Sequence, residues 1–253
     1  MAGGTARILI IAGSDSGGGA GIQADIKTVT MLGGHAMTAV TAITAQNTLG
    51  VTGVHAVPAG MVIAQMDAVI EDIGVDAVKI GMIGSAETAR AVAARLVHLT
   101  VPIVLDPVMV ASSGSVLADD ATIAAFAELM AVSTLVTPNL PEAAALGGVD
   151  RMLPFGCRVL LKGGHGEGPV IVDRLYGPDG GSRQWEGARI ETSSTHGTGC
   201  TLASAIATGL GQGLAMEDAV ERAIGFVRAA LVAAPGLGRG HGPMGQQDVT
   251  GFR

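Results

Sequence analysis

The residues best suited to chemistry form a short glycine-rich segment that ends in a cysteine. This segment has the sequence THGTGCT at residues 195–201 and directly precedes the apolar run LASAI, which predicts a helix. A helix start carries about half a positive charge, and glycines let its N–H groups converge, so Gly197, Thr198 and Gly199 can hold a phosphate. The same position predicts that the pKa of Cys200 lies below about 8.5. A helix start with a buried, unreactive cysteine is the alternative interpretation.

A second group of polar residues follows a predicted apolar strand. Asn139 and Glu142 stand three positions apart, so they share the first turn of any helix that begins there. Their oxygens can hold water around Mg²⁺, which prefers oxygen ligands and keeps several waters. The same spacing is typical of an N-cap Asn with a Glu at the third helical position, which is a capping arrangement. The sequence leaves both interpretations open.

Two more charged residues come at the ends of predicted strands. Lys162 ends the strand 159–162 and precedes two glycines, and Asp106 follows the strand 103–105. Ligands of parallel α/β sheets bind beyond the carboxyl ends of the strands, so Lys162 can neutralise a phosphate there and Asp106 can bind Mg²⁺. A lysine before a turn and a carboxylate that caps a turn are the alternatives.

Alternating strands and helices must position these residues. Predicted strands cover residues 8–12, 37–46, 51–57, 76–81, 103–105, 135–137 and 159–162. Predicted helices cover residues 22–29, 61–73, 86–97, 121–130, 197–210 and 216–233, with a short one near Glu142. This alternation is typical of an α/β protein whose mainly parallel sheet has helices on both faces. Two strand-like runs between residues 169 and 190 predict an antiparallel hairpin at one edge.

The composition favours one soluble domain over residues 1–253. The chain is 48% hydrophobic and only 2% aromatic, with a net charge of -7, and no linker divides it. The glycine-rich tail 236–253 is expected to be loosely held. No apolar run reaches the roughly 18 residues of a membrane span, and the first one is too short for a signal peptide, so we expect a cytoplasmic protein without a membrane partner. The absence of a basic run and of aromatic clusters argues against nucleic acid.

Six ordered motifs resemble those of the hydroxymethylpyrimidine/phosphomethylpyrimidine kinases of thiamin synthesis. They are AGSDSGGGAGIQAD (12–25), AQNT (45–48), KIGM (79–82), TPNLPE (137–142), KGGH (162–165) and HGTGC (196–200). The resemblance implies a ribokinase-like three-layer sandwich. It also implies that ATP, with Mg²⁺, phosphorylates 4-amino-5-hydroxymethyl-2-methylpyrimidine to its monophosphate and then to its diphosphate. A homodimer is a further implication.

The resemblance assigns roles to individual residues. Those near the pyrimidine are Gly13, Asp25, Gln46, Met82 and Val108. Those that organise Mg²⁺, mainly through water, are Asn139 and Glu142, and the strand-end carboxylate of Asp106 is a further candidate ligand from its position alone. Those that contact the nucleotide are Asn139, Lys162 and Gly199. Those that act on the transferring phosphoryl group are Lys162, Gly197, Thr198, Gly199 and Cys200. The amide of Gln46 offers both a donor and an acceptor, which matches the edge of an aminopyrimidine.

Cys200 receives a specific role from this resemblance. Many ribokinase relatives carry an Asp base at its position, and we infer that Cys200 accepts the proton of the hydroxymethyl group in the first phosphorylation. The second phosphorylation uses a phosphate monoester whose second pKa is about 6, so that nucleophile is already ionised at pH 7. We therefore expect Cys200 to matter mainly for the first step.

One departure and two alternatives remain open. The segment 143–158 is shorter than the connection that the family usually has, which bears on packing and ATP binding on that side. A pyridoxine or pyridoxal kinase is the nearest alternative, because pyridoxine is also a flat hydroxymethyl heterocycle. A non-catalytic pyrimidine-binding module is the second, although the presence of Asn139, Glu142, Lys162 and Cys200 argues against it.

Overall fold

A nine-stranded sheet forms the centre of the computed structural model, which describes residues 4–110, 114–166 and 168–252. Its spatial order is β3-β2-β1-β4-β5-β6-β7-β8-β9. The strands are β1 Arg7–Asp15, β2 His35–Asn47, β3 Gly50–Ala56, β4 Ala77–Ile80, β5 Ile103–Leu105, β6 Leu135–Val136, β7 Arg158–Leu161, β8 Val170–Tyr176 and β9 Ser182–Ala188. The six strands from β2 to β7 in that order pair in parallel, which confirms the predicted mainly parallel sheet.

Antiparallel pairing occurs at both edges of the sheet. The predicted hairpin is confirmed as β8 and β9, which extend the sheet beyond β7. A second antiparallel pair, β2 with β3, closes the opposite edge. The sequence predicts both of these strands but not their pairing, because the turn Thr48-Leu49 lacks the Asn-Gly or Asp-Gly signal of a tight hairpin.

Helices cover both faces of the sheet. They are α1 Gly21–Met31, α2 Ala59–Asp72, α3 Ala86–Leu96, α4 Asp120–Val132, α5 Leu140–Ala145, α6 Val149–Met152, α7 Thr198–Gly211 and α8 Met216–Val232. The protein has two hydrophobic cores, one on each face of the sheet, and alternate residues of β1 point into opposite cores. Leu9 and Ile11 pack with α2, α3 and α4, whereas Ile8 and Ile10 pack with α1, α7 and α8. This period of two on a strand buried on both faces explains its continuous apolar run.

The short connection between β6 and β7 holds only α5, α6 and a 3₁₀ turn at Leu153–Phe155. Met152 and Ala143 are nevertheless buried in the core that covers this face of the sheet. The shortened segment therefore still packs on the sheet. Among the described residues, no helix has both the length and the apolar character that crossing a membrane requires.

The glycine-rich tail makes several specific contacts with the rest of the protein, which the sequence did not indicate. His241 N–H donates to the Thr48 carbonyl at 2.9 Å, and Gly245 N–H donates to the Ala230 carbonyl at 2.9 Å. A side chain at Gly240 would collide with the Thr48 carbonyl oxygen. Phe252 packs edge-on against Phe226 with 5.8 Å between ring centroids. The glycines here serve close backbone packing, not flexibility.

Candidate functional site

The polar residues singled out from the sequence gather at the carboxyl ends of the parallel strands. Asp106 follows β5, Asn139 follows β6 and Lys162 follows β7, while the start of α7 faces the same edge. Gly199 marks the contact, because a Cβ on it would lie 3.2 Å from Lys162 Nζ and 3.3 Å from Asp106 Oδ2. Sheet and helix thus meet where a parallel α/β fold binds its ligands.

Lys162 is held between two carboxylates, and we call Asp106, Glu142 and Lys162 the open cluster. Lys162 Nζ lies 2.7 Å from Asp106 Oδ1 and 3.8 Å from Glu142 Oε2, and its side chain keeps 12% exposure. Thr137 Oγ1 donates to Asp106 Oδ1 at 3.1 Å. Burial acts to lower the pKa of Lys162, but Asp106 and Glu142 outweigh it and raise that pKa. The lysine is therefore charged and close to the surface of the site.

Glu142 is the titrating member of the open cluster. Burial raises its pKa to about 7, the charge of Lys162 acts against this, and the charge of Asp106 reinforces it. A carboxyl with this pKa exchanges its proton near neutral pH. Protonation of Glu142 therefore changes the charge around Lys162 in that range.

Asn139 and Glu142 form a complete capping box. Asn139 Oδ1 accepts the Glu142 N–H at 2.8 Å, and Glu142 Oε2 accepts the Asn139 N–H at 2.8 Å. The capping interpretation of their spacing is thus confirmed. It leaves the second oxygens of Asp106 and Glu142 and the further lone pair of Asn139, a set of oxygen donors that fits a hydrated Mg²⁺. Within the described ranges, no three His, Cys, Asp or Glu side chains cluster tightly enough to hold a metal alone.

The start of α7 depends on a glycine in the left-handed region. Gly197 has a φ of 83°, and a Cβ there would collide with the Gly19 carbonyl oxygen. No side chain caps this helix start. The Thr198 N–H donates to the Thr195 carbonyl at 3.4 Å. The next N–H groups, of Gly199 and Cys200, have no acceptor one turn earlier in the helix, so they are available to an anion.

Cys200 is a partly buried free thiol in the first turn of α7. Burial raises its pKa to about 11, although the positive charge of Lys79 acts in the opposite direction. The expected lowering of this pKa is therefore wrong. The helix start and the lysine do favour the thiolate, but removal of water outweighs both. Without ligands, Cys200 is a neutral thiol at pH 7.

A second lysine–carboxylate pair lies wholly inside the protein, and we call Asp25, Lys79 and Ser204 the sealed cluster. Lys79 Nζ lies 2.8 Å from Asp25 Oδ2, and both side chains are 0% exposed. Ser204 Oγ donates to Asp25 Oδ1 at 2.7 Å. Ser204 is one turn beyond Cys200 in α7. Asp25 therefore lies beneath the site with both oxygens occupied, and the structure does not bring it to the surface that a substrate would contact.

The remaining residues assigned to the pyrimidine lie near the ends of β1, β2, β4 and β5. A Cβ on Gly13 would lie 3.0 Å from Met82 Sδ, so these two residues adjoin. The amide of Gln46 contacts His196 at 3.1 Å and Thr44 at 3.1 Å. Val108 follows Asp106, and its N–H donates to the Asp106 carbonyl at 2.8 Å. The structure thus joins Gln46 to the segment before α7 through His196.

Three residues of the site lie within the quoted motifs but received no role from them. Asp15 and His196 contact each other at 3.0 Å and connect the first loop to the start of α7. Lys79 forms the buried ion pair of the sealed cluster with Asp25. Its signal was present, because a lysine inside an apolar strand must find a buried partner. For Asp15 and His196 the sequence offers only their place beside glycines, since their partners are distant in the chain.

Comparison with known proteins gives one consistent result. Residues 15–245 match the family model described as phosphomethylpyrimidine kinase. A hydroxymethylpyrimidine/phosphomethylpyrimidine kinase of Rhizobium meliloti is 47% identical over 95% of this chain and 96% of its own length. A thiamine biosynthesis bifunctional protein of Geobacter sulfurreducens is 49% identical over 94% of this chain, which spans only 51% of that relative. An ADP complex of Bacillus subtilis pyridoxal kinase superposes with a TM-score of 0.87 at 31% identity, covering 96% of this chain and 98% of the other.

Proposed function

Because the chain belongs to the phosphomethylpyrimidine kinase family, as its motifs predicted, we propose that it phosphorylates 4-amino-5-hydroxymethyl-2-methylpyrimidine and then its monophosphate. The observation that carries this proposal is the continuous line of groups from Gln46 through His196 to Gly199 and Lys162. One end of this line suits a heterocycle edge, and the other suits a phosphate.

ATP is the proposed phosphoryl donor. The ADP complex of the pyridoxal kinase relative supports it, and so does the charged Lys162 beside the start of α7. In this proposal Lys162, Gly197, Thr198 and Gly199 bind the oxygens of the transferring phosphoryl group, whose reaction depends on positioning and electrostatics. Mg²⁺, held through Asp106, Asn139 and Glu142, neutralises phosphate charge when it is bound.

Cys200 is the proposed base for the hydroxymethyl group. With a pKa of about 11, only about one thiol in 10⁴ is ionised at pH 7. The first phosphorylation should therefore speed up by about tenfold per pH unit well below pH 11, whereas the second should not. This difference follows because the phosphate nucleophile of the second step is ionised without help.

Variants of Cys200 test this role. Cys200→Ala should lower kcat of the first step by about 10²–10⁴-fold, with a far smaller loss in the second. Cys200→Ser keeps a hydrogen-bonding group at the position and serves as the matched variant, with a flat pH profile expected in place of the rise. Equal losses in separate assays of the two steps would contradict the assignment.

A mass-resolved assay tests the activity as a whole. The purified chain is incubated with the pyrimidine and MgATP, and the monophosphate should appear first, followed by the diphosphate. Pyrimidine binding without any phosphorylated product would instead favour the non-catalytic module. The Lys162→Met protein serves as the control for contaminating kinases.

Pyridoxal phosphorylation is the second candidate, and the structural similarity to the pyridoxal kinase favours it as a side activity. Parallel assays with pyridoxal, the pyrimidine and its monophosphate compare kcat/KM for each. We expect the pyrimidine and its monophosphate to be the better substrates. Turnover of pyridoxal alone would reverse the assignment.

A homodimer that pairs through the β2–β3 edge is also proposed. Four large apolar side chains on or beside these strands are at least half exposed, namely Ile43, Leu49, Val54 and Met61. Exposed apolar groups in one region commonly mark an interface. Sedimentation of the wild type and of Val54→Glu tests this, since the variant should shift toward the monomer. The cytoplasmic location stays a prediction from the sequence.

A further inference from the structure

His196 touches two parts of the site that are far apart in the chain. Its Nε2 atom lies 3.0 Å from Asp15 Oδ2 and 3.1 Å from the terminal amide of Gln46. The ring is buried and packs closely over Gly19, where a Cβ would lie 2.5 Å from His196 Cδ2. One ring nitrogen therefore faces both the first loop and the residue assigned to the pyrimidine.

Asp15 is held as a carboxylate and decides which proton the ring carries. Its Oδ1 accepts the Gly17 N–H at 2.8 Å, and its Oδ2 accepts the N–H groups of Gly19 at 3.0 Å and Ala20 at 2.9 Å. Burial acts to raise the pKa of Asp15, but the hydrogen bonds from His196, Ala20 and Gly17 outweigh it and lower that pKa. A carboxylate only accepts, so His196 Nε2 carries a proton and donates it to Asp15.

That proton decides how the amide of Gln46 is turned. The structure places the amide nitrogen of Gln46 3.1 Å from His196 Nε2 and the amide oxygen 3.1 Å from Thr44 Oγ1. An NH₂ group cannot accept a hydrogen bond, so a protonated Nε2 requires the amide to be turned over, with its oxygen toward His196. The NH₂ group then faces Thr44 Oγ1, which is 3.1 Å from the other end of the amide. Thr44 Oγ1 can accept there, because its own proton goes to the Ser14 carbonyl at 2.9 Å. The single Nε2–H of His196 is then shared between Asp15 Oδ2 and the Gln46 oxygen. The Thr44 hydroxyl and the Gln46 NH₂ group each have an acceptor.

We propose that His196 is a positioning residue that fixes the amide of Gln46 and thereby sets which heterocycles the site accepts. The fixed amide keeps one N–H and one carbonyl lone pair for a ligand. Such a pair fits a ring nitrogen that accepts next to an exocyclic amine that donates, which is the edge of a 4-aminopyrimidine. This inference rests on the proposed function and adds to it the residue that orients the recognition group.

Two substitutions at His196 distinguish the effect of its hydrogen-bond donor from the effect of its side-chain volume. His196→Leu removes the donor and keeps an apolar side chain, whereas His196→Gln returns an amide N–H at a similar reach. We expect His196→Leu to raise KM for the pyrimidine by about tenfold, as a lost polar contact does, with KM for ATP within twofold. His196→Gln should recover most of that loss. His98→Leu, at an exposed histidine outside the site, is the control.

The outcomes of the kinetic test are distinct. An unchanged KM for the pyrimidine in His196→Leu, or an equal rise in KM for both substrates, overturns the proposal. So does a His196→Gln protein that is no better than His196→Leu. Thermal unfolding of each variant identifies a protein that has simply lost its fold.

The tautomer of His196 gives a readout that requires no activity. In ¹⁵N-labelled wild-type protein, two-bond ¹⁵N–¹H correlations distinguish a protonated Nε2 from a bare one, and His196→Gln assigns the signal. We expect the proton on Nε2, and a bare Nε2 overturns the proposal even if variants prove unstable. If the wild type does not phosphorylate the pyrimidine, the proposed function fails while this measurement still decides the orientation argument.

Discussion

The open and the sealed cluster use the same chemical pair in two different environments. Lys162 contacts Asp106 at 2.7 Å and Lys79 contacts Asp25 at 2.8 Å, so the two ion pairs are equally short. The Lys162 side chain keeps 12% exposure, whereas both members of the sealed pair are completely buried. One lysine extends from the end of a strand, and the other lies inside β4. Position in the strand, not chemistry, separates them.

The difference in exposure gives the two ion pairs different roles. A partly exposed lysine can exchange its carboxylate partner for phosphate oxygens at a modest cost, because water already shares the site. A sealed pair cannot exchange, since each ion would be left without water or partner. Burial acts to lower the pKa of Lys79, but Asp25 outweighs it and raises that pKa, so the lysine is charged. The Lys79 ammonium is thus a fixed positive charge near Cys200, with Asp25 as its counter-ion.

The largest effect is expected when one ion of the sealed pair is removed. Lys79→Met leaves Asp25 buried and unpaired, and we expect it to lower the free energy of unfolding by about 3–5 kcal/mol. Urea unfolding followed by circular dichroism measures this. Lys79→Met with Asp25→Leu removes both ions and should recover much of the loss.

An exposed pair provides the control for that experiment. Arg90 and Glu128 lie 3.0 Å apart with side chains 57% and 50% exposed. Arg90→Met should cost less than about 1 kcal/mol. If Lys79→Met cost as little as Arg90→Met, the sealed pair would not be the fixed element that its burial indicates.

The open cluster should respond in the opposite sense, with activity lost and the fold kept. Lys162→Met removes the cation beside Gly199 at the start of α7. We expect kcat to fall by about 10²–10³-fold, the scale for loss of one electrostatic stabiliser. Its free energy of unfolding should fall by less than that of Lys79→Met. Stopped-time assays and urea unfolding on the same preparations measure both. A larger loss of stability than in Lys79→Met would erase the distinction between the clusters.

The main architecture could be predicted because the two periodicities are strong in this chain. The run at residues 8–12 predicted a central buried strand, and β1 is that strand, extended at both ends to Arg7–Asp15. The antiparallel β2–β3 pairing and the contacts of the tail were not predicted. Both depend on contacts between distant segments, as in the Thr48 turn that accepts from His241. Local sequence carries no signal for such contacts.

The sequence predicted which residues form the site better than it predicted their pKa values and their buried partners. The motifs indicated Lys162 and Cys200, the end of a predicted strand indicated Asp106, and the structure brings Gly199 against Lys162 and Asp106. The direction of the Cys200 pKa was wrong, because burial by segments far apart in sequence outweighs the local helix start. The partner of Lys79 was likewise hidden, since Asp25 comes from α1, 54 positions away. Tertiary burial, which a linear pattern does not contain, decides both.

The mildest test compares how the two clusters respond to pH. The pKa of Glu142 is raised by burial from 4.5 to about 7. Between these values the folded protein holds more protons than the unfolded chain, so this residue's contribution to stability falls as pH rises from about 4.5 to 7. Relative to Glu142→Gln, the wild type should therefore lose about 1–3 kcal/mol between pH 5 and pH 8.

Glu142→Gln is a matched variant because a glutamine at the third helical position keeps the capping box. Urea unfolding of both proteins at pH 5, 6.5 and 8 measures the difference. The sealed pair provides the contrast, since the stability difference between the wild type and Lys79→Met with Asp25→Leu, which removes both charges, should stay constant over this range while both ions of the wild type remain charged. A constant difference for Glu142→Gln would mean that its carboxyl does not titrate there. The open cluster would then be as fixed in charge as the sealed one, and accessibility of Lys162 alone would separate them.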